Sequence, residues 1–85
     1  METIYVENGA GMSCVGDDLA VRAVTKVGAV RVMHGDRIPA GSLRVYRTNE
    51  KGGWFGVARS GVLGRICRFR NFDRALSVAL QIATA

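Results

Sequence analysis

The segment that follows Asn71 constrains the fold more than any other, because its pattern predicts a helix that is apolar almost all the way round. Its polar side chains recur every three or four residues and form one narrow stripe: Arg74, Ser77, Gln81 and Thr84. Apolar residues cover the rest of the helix: Ala75, Leu76, Val78, Ala79, Leu80, Ile82 and Ala83. A helix with so wide an apolar arc must be largely buried. Asn71 or Asp73 is a suitable N-terminal cap for it.

Three β-strands are predicted ahead of this helix, at residues 42–48, 54–60 and 64–70, with glycine-containing loops between them. Side chains alternate between the two faces of a strand. One set is apolar and forms an inner face for the helix to cover: Leu43, Val45, Phe55, Val57, Cys67 and Phe69. The opposite set forms an outer face: Arg44, Tyr46, Thr48, Trp54, Gly56, Ala58, Ile66, Arg68 and Arg70.

The N-terminal half is predicted to add strands at residues 3–7 and 29–34, and residues 12–15 are expected to pair back against the first of these. Residues 17–28 fit two patterns. Asp17 as a cap, an apolar face and a closing glycine favour a helix, whereas the β-branched residues favour a strand. The helix is the preferred interpretation, and the strand remains the alternative.

The elements together predict an α+β fold, with a small antiparallel sheet of about four to six strands and a C-terminal helix packed on one face. A chain of 85 residues has room for one core, so residues 1–85 are expected to form a single domain. Residues 35–41 resemble the Gly-Asp-x-Ile-Pro-Ala turn of many small β-rich domains, and that resemblance implies a turn only.

Positive charge is concentrated in the second half of the chain. The whole chain has 12 Lys and Arg against 7 Asp and Glu, a net charge of +5. Residues 1–43 hold four basic and five acidic side chains, whereas residues 44–85 hold eight basic and two acidic ones. Clustered like charge repels itself unless a partner neutralises it, so this asymmetry favours an anionic partner.

The candidate binding residues are arginines and aromatic residues of these strands: Arg44, Tyr46, Trp54, Arg59, Arg68 and Arg70. Aromatic rings stack on nucleic-acid bases, and guanidinium groups bind phosphate oxygens. Arg59 belongs to the inner set, near a strand end, from which its long side chain is expected to reach the rim of the outer face. The alternative is that the N-terminal half packs over Trp54, Tyr46 and Ile66 as a second core.

No pattern in the chain indicates catalysis, a cofactor or a metal. His34 is the single histidine and has no nucleophile near it in sequence, and Cys14 and Cys67 lack the spacing of a zinc site. Asp17 and Asp18 are adjacent carboxylates of the kind that begin a helix or a turn. The chain is therefore predicted not to be an enzyme and to use no cofactor and no metal.

The sequence also lacks features of membrane insertion. No apolar run approaches the roughly 20 residues of a membrane span, and the first residues lack the basic and apolar regions of a signal peptide. A cytoplasmic location, no membrane partner and two unbridged, buried cysteines are therefore expected.

The order strand, strand, strand, helix over residues 44–84 contains two recurring patterns. They are Gly56-Val57-Ala58-Arg59 in the middle strand and Phe72-x-x-Ala75-x-x-x-Ala79-x-x-x-Ala83 in the helix. These features resemble the DNA-binding domain of plant ethylene-response factors and of the N-terminal arms of some tyrosine recombinases. In that family the sheet enters the major groove. The resemblance implies contacts to DNA through Arg44, Trp54, Arg59, Arg68 and Arg70.

Two classes of function follow as hypotheses. The first is a small basic regulatory or accessory protein that binds nucleic acid, DNA rather than RNA, through the outer face. The second is a small phage or mobile-element protein that binds and inhibits a host protein or nucleoprotein complex, since Trp, Tyr and Arg are enriched in protein interfaces. A homodimer through surplus apolar surface of the C-terminal helix is compatible with both.

Overall fold

A computed structural model describes residues 1–9 and 13–85. Within these residues the chain forms five strands and two α-helices, in the order β1 (Ile4–Glu7), α1 (Asp17–Lys26), β2 (Val30–Met33), β3 (Leu43–Arg47), β4 (Phe55–Arg59), β5 (Cys67–Phe69) and α2 (Phe72–Thr84). A short 3-10 turn, Gly35–Arg37, lies between β2 and β3. The five strands form one sheet in the order β2-β1-β3-β4-β5.

The C-terminal helix begins where the sequence places it. Asn71 is the N-cap, and its side-chain oxygen accepts a hydrogen bond from the backbone N–H of Arg74. The helix packs against β3, β4 and β5. Its alanines let it approach the sheet closely, since Ala75 and Ala79 are fully buried. The prediction of a buried helix on one face of an α+β sheet is therefore confirmed.

The sheet is mixed rather than wholly antiparallel. β3, β4 and β5 form antiparallel pairs, as predicted, whereas β1 is parallel to both of its neighbours, β2 and β3. A parallel pair needs a crossover between its strands, and α1 supplies the crossover between β1 and β2. Residues 17–26 form this crossover as a helix despite their β-branched content, which agrees with the preferred interpretation of the sequence.

The start of α1 differs in detail from the sequence interpretation. Gly16 occupies the N-cap position, and no side chain caps this helix. Asp17 and Asp18 lie in the first turn instead, where negative charge is favourable next to the helix dipole. The expected pairing of residues 12–15 with β1 falls partly outside the described residues. Within them, the Val15 N–H donates to the Glu7 carbonyl oxygen, and Ser13 accepts from the Arg47 N–H.

The segment between β2 and β3 crosses the sheet on the face opposite the helices. It must return from one end of β2 to the opposite end of β3, since both strands run parallel to β1. Gly35 lies against the carboxylate of Glu7, where a Cβ would collide with it. Ile38 is buried, and its carbonyl oxygen accepts from the Ser60 hydroxyl. The predicted turn is therefore part of a crossover that covers the outer side of β1.

One hydrophobic core lies between the sheet and the two helices. Its fully buried members alternate along β1, β3 and β4, and they include Ile4, Val6, Leu43, Val45 and Val57. Both helices contribute to this same core, which places them on one face of the sheet. Within the described part of the chain, no helix is long and apolar enough to cross a membrane.

Candidate partner-binding surface

Both helices of the described residues lie on one face of the sheet, and the outer face of β3, β4 and β5 is the opposite one. The strand register confirms the predicted division of side chains, because Val45 pairs with Val57 and Val57 with Cys67 on the helix side. On the other side, Tyr46 pairs with Gly56, and Gly56 pairs with Arg68. The predicted apolar set is therefore the set that the helices cover.

Two arginines lie against the ring of Trp54: Arg68 in β5 and Arg70 immediately after it. The guanidinium carbon of Arg68 is 4.3 Å from the centroid of the Trp54 ring, and that of Arg70 is 5.0 Å from it. These distances are typical of cation–π contacts. Gly52 keeps the β3–β4 hairpin close to this cluster, since its φ is +98° and a Cβ there would lie 3.2 Å from both Trp54 Nε1 and Arg70 Nη2.

Tyr46 lies across the middle strand, directly above Gly56. A Cβ at Gly56 would come within 2.6 Å of Tyr46 Cζ, so the glycine leaves the space that the ring occupies. The guanidinium carbon of Arg44 is 4.1 Å from the Tyr46 ring centroid. Arginine and aromatic side chains therefore interleave across all three strands, and we call Arg44, Tyr46, Trp54, Arg68 and Arg70 the Arg–aromatic layer.

Arg44 joins this layer to the N-terminal strand. Its Nη1 lies 3.2 Å from Glu7 Oε1, and both side chains are largely shielded from solvent. Burial raises the pKa of Glu7, while the adjacent Arg44 guanidinium opposes that rise. Within the described residues, the buried Nε of Arg44 has no hydrogen-bond acceptor. Arg44 is thus held in place by Glu7 and Tyr46, and its charge is already partly neutralised.

Glu50 holds two further arginines. Its carboxylate accepts hydrogen bonds from Arg65 and from Arg68. The bond from Arg65 is the main cause of the lowered pKa of Glu50, and the charge of Arg68 contributes. Among the described residues, Arg44, Arg65 and Arg68 pair with two carboxylates on this side, those of Glu7 and Glu50, and Arg70 pairs with none. The surface therefore keeps a net positive charge.

The structure brings together five of the six residues that the sequence singles out. Arg59 is the exception, because its position at the end of β4 pairs with Leu43 on the helix side. Its guanidinium donates to both carboxylate oxygens of Glu2, at 2.8 and 3.0 Å, and to the Gly41 carbonyl oxygen. Arg59 thus links β4 to the N-terminal segment and does not reach the Arg–aromatic layer.

The alternative of a second core over Trp54 and Tyr46 does not describe this face. Both residues are half-buried, and the guanidinium groups of Arg44, Arg68 and Arg70 lie against their rings. Ile66, the third residue of that alternative, is 51% exposed. The crossover between β2 and β3 covers the outer side of β1, whereas Arg68 and Arg70, in and just after β5, are exposed.

An apolar loop beside the layer escaped the sequence analysis. The β4–β5 connection exposes Val62 and Leu63, and Leu63 is 100% exposed. Gly61 and Gly64 flank this pair with φ values of +76° and +80°. The sequence pattern Gly-Val-Leu-Gly in a hairpin loop indicates such exposure. Exposed apolar residues of this size often mark an interaction site.

The remaining candidate groups do not form a site. Within residues 1–9 and 13–85, no three His, Cys, Asp or Glu side chains converge as metal ligands. Cys14 and Cys67 are unbridged and half-buried, and burial raises the pKa of the Cys67 thiol. His34 is exposed at the end of β2. On α2 no large apolar side chain is exposed, which leaves little surplus surface for the expected dimer through this helix.

Comparison of the chain with protein-family models, with curated protein sequences and with solved structures finds no match. The Arg–aromatic layer and its surroundings are therefore the basis for a functional hypothesis.

Proposed function

We propose that this protein binds nucleic acid through the Arg–aromatic layer. The observation that carries the proposal is the arrangement around Trp54, where two guanidinium groups lie against one indole ring on the sheet face opposite both described helices. Arg70 has no carboxylate within 4.0 Å among the described residues, so its charge is available to a phosphate. Guanidinium groups bind phosphate oxygens in bidentate fashion.

The geometry suits a polyanion better than a single small anion. Tyr46 on β3 and Trp54, the residue before β4, each have an arginine guanidinium over the ring, and unpaired bases can stack on such planar guanidinium groups. Glu50 holds Arg68 and Arg65 in place, which lowers the conformational entropy that these long side chains lose on binding. A nucleic acid would meet preoriented cations and stacking surfaces on the same face.

DNA is the preferred form of nucleic acid in this proposal. The resemblance of residues 44–84 to sheet-plus-helix DNA-binding domains supports it, since the same face of the three strands, opposite α2, carries the arginines and Trp54. A duplex would be contacted through the major groove, which admits a β-sheet ribbon. A single strand would be bound by stacking, and the two forms differ in their dependence on salt.

The experiment is a titration of fluorescently labelled duplex and single-stranded DNA at several salt concentrations. Binding through phosphates predicts that log K falls linearly with log salt, by about 0.9 per contact for duplex and about 0.7 for a single strand. Arg70→Glu is expected to weaken binding at least tenfold. Arg74→Glu is the matched control, because it makes the same charge change on α2, in the first turn where an acid is favourable.

Three outcomes would contradict the proposal: no binding at low salt, binding that does not depend on salt, or equal losses in the two variants. Circular dichroism of both variants separates loss of binding from loss of fold. RNA of the same sequence distinguishes the preferred partner, and tighter binding of RNA would contradict the preference for DNA.

A second candidate function rests on the exposed β4–β5 loop. Val62 is 58% exposed and Leu63 is 100% exposed in this loop, and adjacent exposed apolar residues of this size often mark an interaction site. In this alternative the protein binds a host protein or nucleoprotein complex as an inhibitor. Leu63→Ser would then abolish capture of a partner that resists nuclease treatment, while Arg70→Glu would weaken it less.

A further inference from the structure

β2 lies at one edge of the sheet, since among the described strands it pairs only with β1. Two hydrogen bonds show which residues of β2 direct their backbone groups towards β1. The Ile4 N–H donates to the Ala29 carbonyl oxygen, and the Asn8 N–H donates to the Met33 carbonyl oxygen. Backbone groups alternate in direction along a strand. Residues 29, 31 and 33 therefore face β1, and Val30, Val32 and His34 face the free edge.

Some of these edge groups already have partners. The Val30 N–H donates to the Val27 carbonyl oxygen at 3.1 Å, and the His34 carbonyl oxygen accepts from the Arg37 N–H at 2.9 Å. The Val30 carbonyl oxygen accepts one bond, from Arg31 Nη1, and has a second lone pair. Within the described residues, both groups of Val32 and the N–H of His34 are left for a further strand.

An apolar groove runs along this same edge. It has a volume of about 320 Å³ and lies between α1 and β2, with Val21, Val24 and Val32 among its lining residues. Val21 is 65% exposed and Val24 is 44% exposed. Apolar side chains that adjoin unpaired strand backbone are a combination that proteins usually cover, since such an edge pairs readily with another strand.

We propose that a second copy of this chain occupies the edge, with the two β2 strands antiparallel about a two-fold axis. In the register that places Val32 opposite Val32 of the second copy, the two valines exchange both of their backbone hydrogen bonds. His34 N–H of each copy then meets the Val30 carbonyl oxygen of the other. The four bonds use the groups that the monomer leaves available, and both Val32 side chains lie beside Val24 in the groove.

The neighbouring register is excluded by charge and by hydrogen bonding. It would place Arg31 opposite Arg31 of the second copy, and like charges directly opposite are unfavourable. It would also require the Val30 N–H, which already donates within the monomer. In the proposed register Arg31 faces Met33 of the second copy on the outer side, where its aliphatic stem packs against the thioether. Of these two registers, only the one with Val32 opposite Val32 uses backbone groups that the monomer leaves available.

The first test measures mass against concentration by sedimentation equilibrium. The expected result is a rise from the monomer mass towards twice that value, and a shift to monomer in Val24→Glu, which places two carboxylates across the axis. Val62→Glu makes the same substitution at another exposed valine, in the β4–β5 loop, and should remain dimeric. A protein that stays monomeric at every concentration up to about 1 mM, the weak end of the usual affinity scale, or an unchanged dimer in Val24→Glu would overturn the proposal.

The second test measures the register by disulfide cross-linking, in a chain whose Cys14 and Cys67 are replaced by alanine. An Arg31→Cys chain mixed with a Met33→Cys chain should form a mixed disulfide, because these positions face each other. Neither chain should cross-link with itself, since its two cysteines would lie beyond the roughly 7 Å Cα limit of a disulfide. Self-cross-linking of Arg31→Cys would contradict the register.

This dimer is independent of nucleic-acid binding, because β2 lies at the opposite edge of the sheet from β5. Val24→Glu and Arg70→Glu therefore test the two proposals separately.

Discussion

The ring of Tyr46 lies over Gly56 so closely that a Cβ at Gly56 would be 2.6 Å from Tyr46 Cζ. The two residues are direct cross-strand partners, and the absence of a side chain at Gly56 leaves room for the ring. An aromatic residue over a cross-strand glycine stabilises the strand pair and shields backbone that the missing side chain would leave open. The position of the ring on the outer face therefore depends on a residue with no side chain.

Gly56→Val is expected to destabilise the fold by about 1–3 kcal/mol, because the new side chain and the Tyr46 ring need the same space. Valine has the higher strand propensity. Propensity alone would therefore stabilise the variant, and a loss of stability indicates a clash with the Tyr46 ring. Chemical denaturation measures it. Gly28→Ala is the control, since a Cβ at Gly28 meets nothing within 4 Å. Stabilisation of Gly56→Val would show that the ring does not lie over the glycine.

Leu76→Ala is expected to cost about 2–5 kcal/mol of unfolding free energy, because Leu76 is buried in the core against the sheet. The same substitution at Leu63, in the β4–β5 loop, should change stability by less than about 0.5 kcal/mol. Thermal or urea unfolding of the two variants makes the comparison. Equal losses would contradict the assignment of α2 to the core and of the loop to the surface.

Stability should fall in acid partly through Glu2. The hydrogen bond from Arg59 lowers the pKa of Glu2 below its ordinary value of 4.5. A carboxyl group whose folded-state pKa is lowered stabilises the protein above its unfolded-state pKa, and this contribution is lost as pH falls through the folded-state value. Glu2→Gln should therefore be less stable than the parent at pH 7, and the two should converge towards pH 2. A difference that is constant with pH would exclude the ion pair as its cause.

Arg70→Ala should cost less unfolding free energy than Arg68→Ala, since the Arg70 guanidinium forms no ion pair among the described residues and loses only its contact with the Trp54 ring. Its main effect is expected in DNA binding, where loss of one phosphate contact reduces the slope of log K against log salt by about one. Arg68→Ala should also lower stability, because it removes a partner of Glu50 and a cation from Trp54. Identical behaviour of the two variants would contradict this division of roles.

The period-two alternation of the strands predicted much of the site. Leu43 and Val45 on one side and Arg44 and Tyr46 on the other follow from the pleat alone, and the register carries this pattern across three strands. The helical stripe after Asn71 predicted the element that covers the apolar side. Arg59 shows the limit of the approach, since alternation placed it on the helix side but did not predict its pairing with Glu2.

The sequence by itself determined which side chains are covered by α2 and which face outward, because local periodicity and the size of the apolar arc fix these properties residue by residue. Only the tertiary structure decided that β1 lies between two parallel neighbours, that residues 17–26 form a helix and that Glu2, Glu7 and Glu50 each hold an arginine. Strand order and ion pairing join residues up to 57 positions apart. Such contacts form only when the whole chain packs around one core, so local sequence patterns do not predict them.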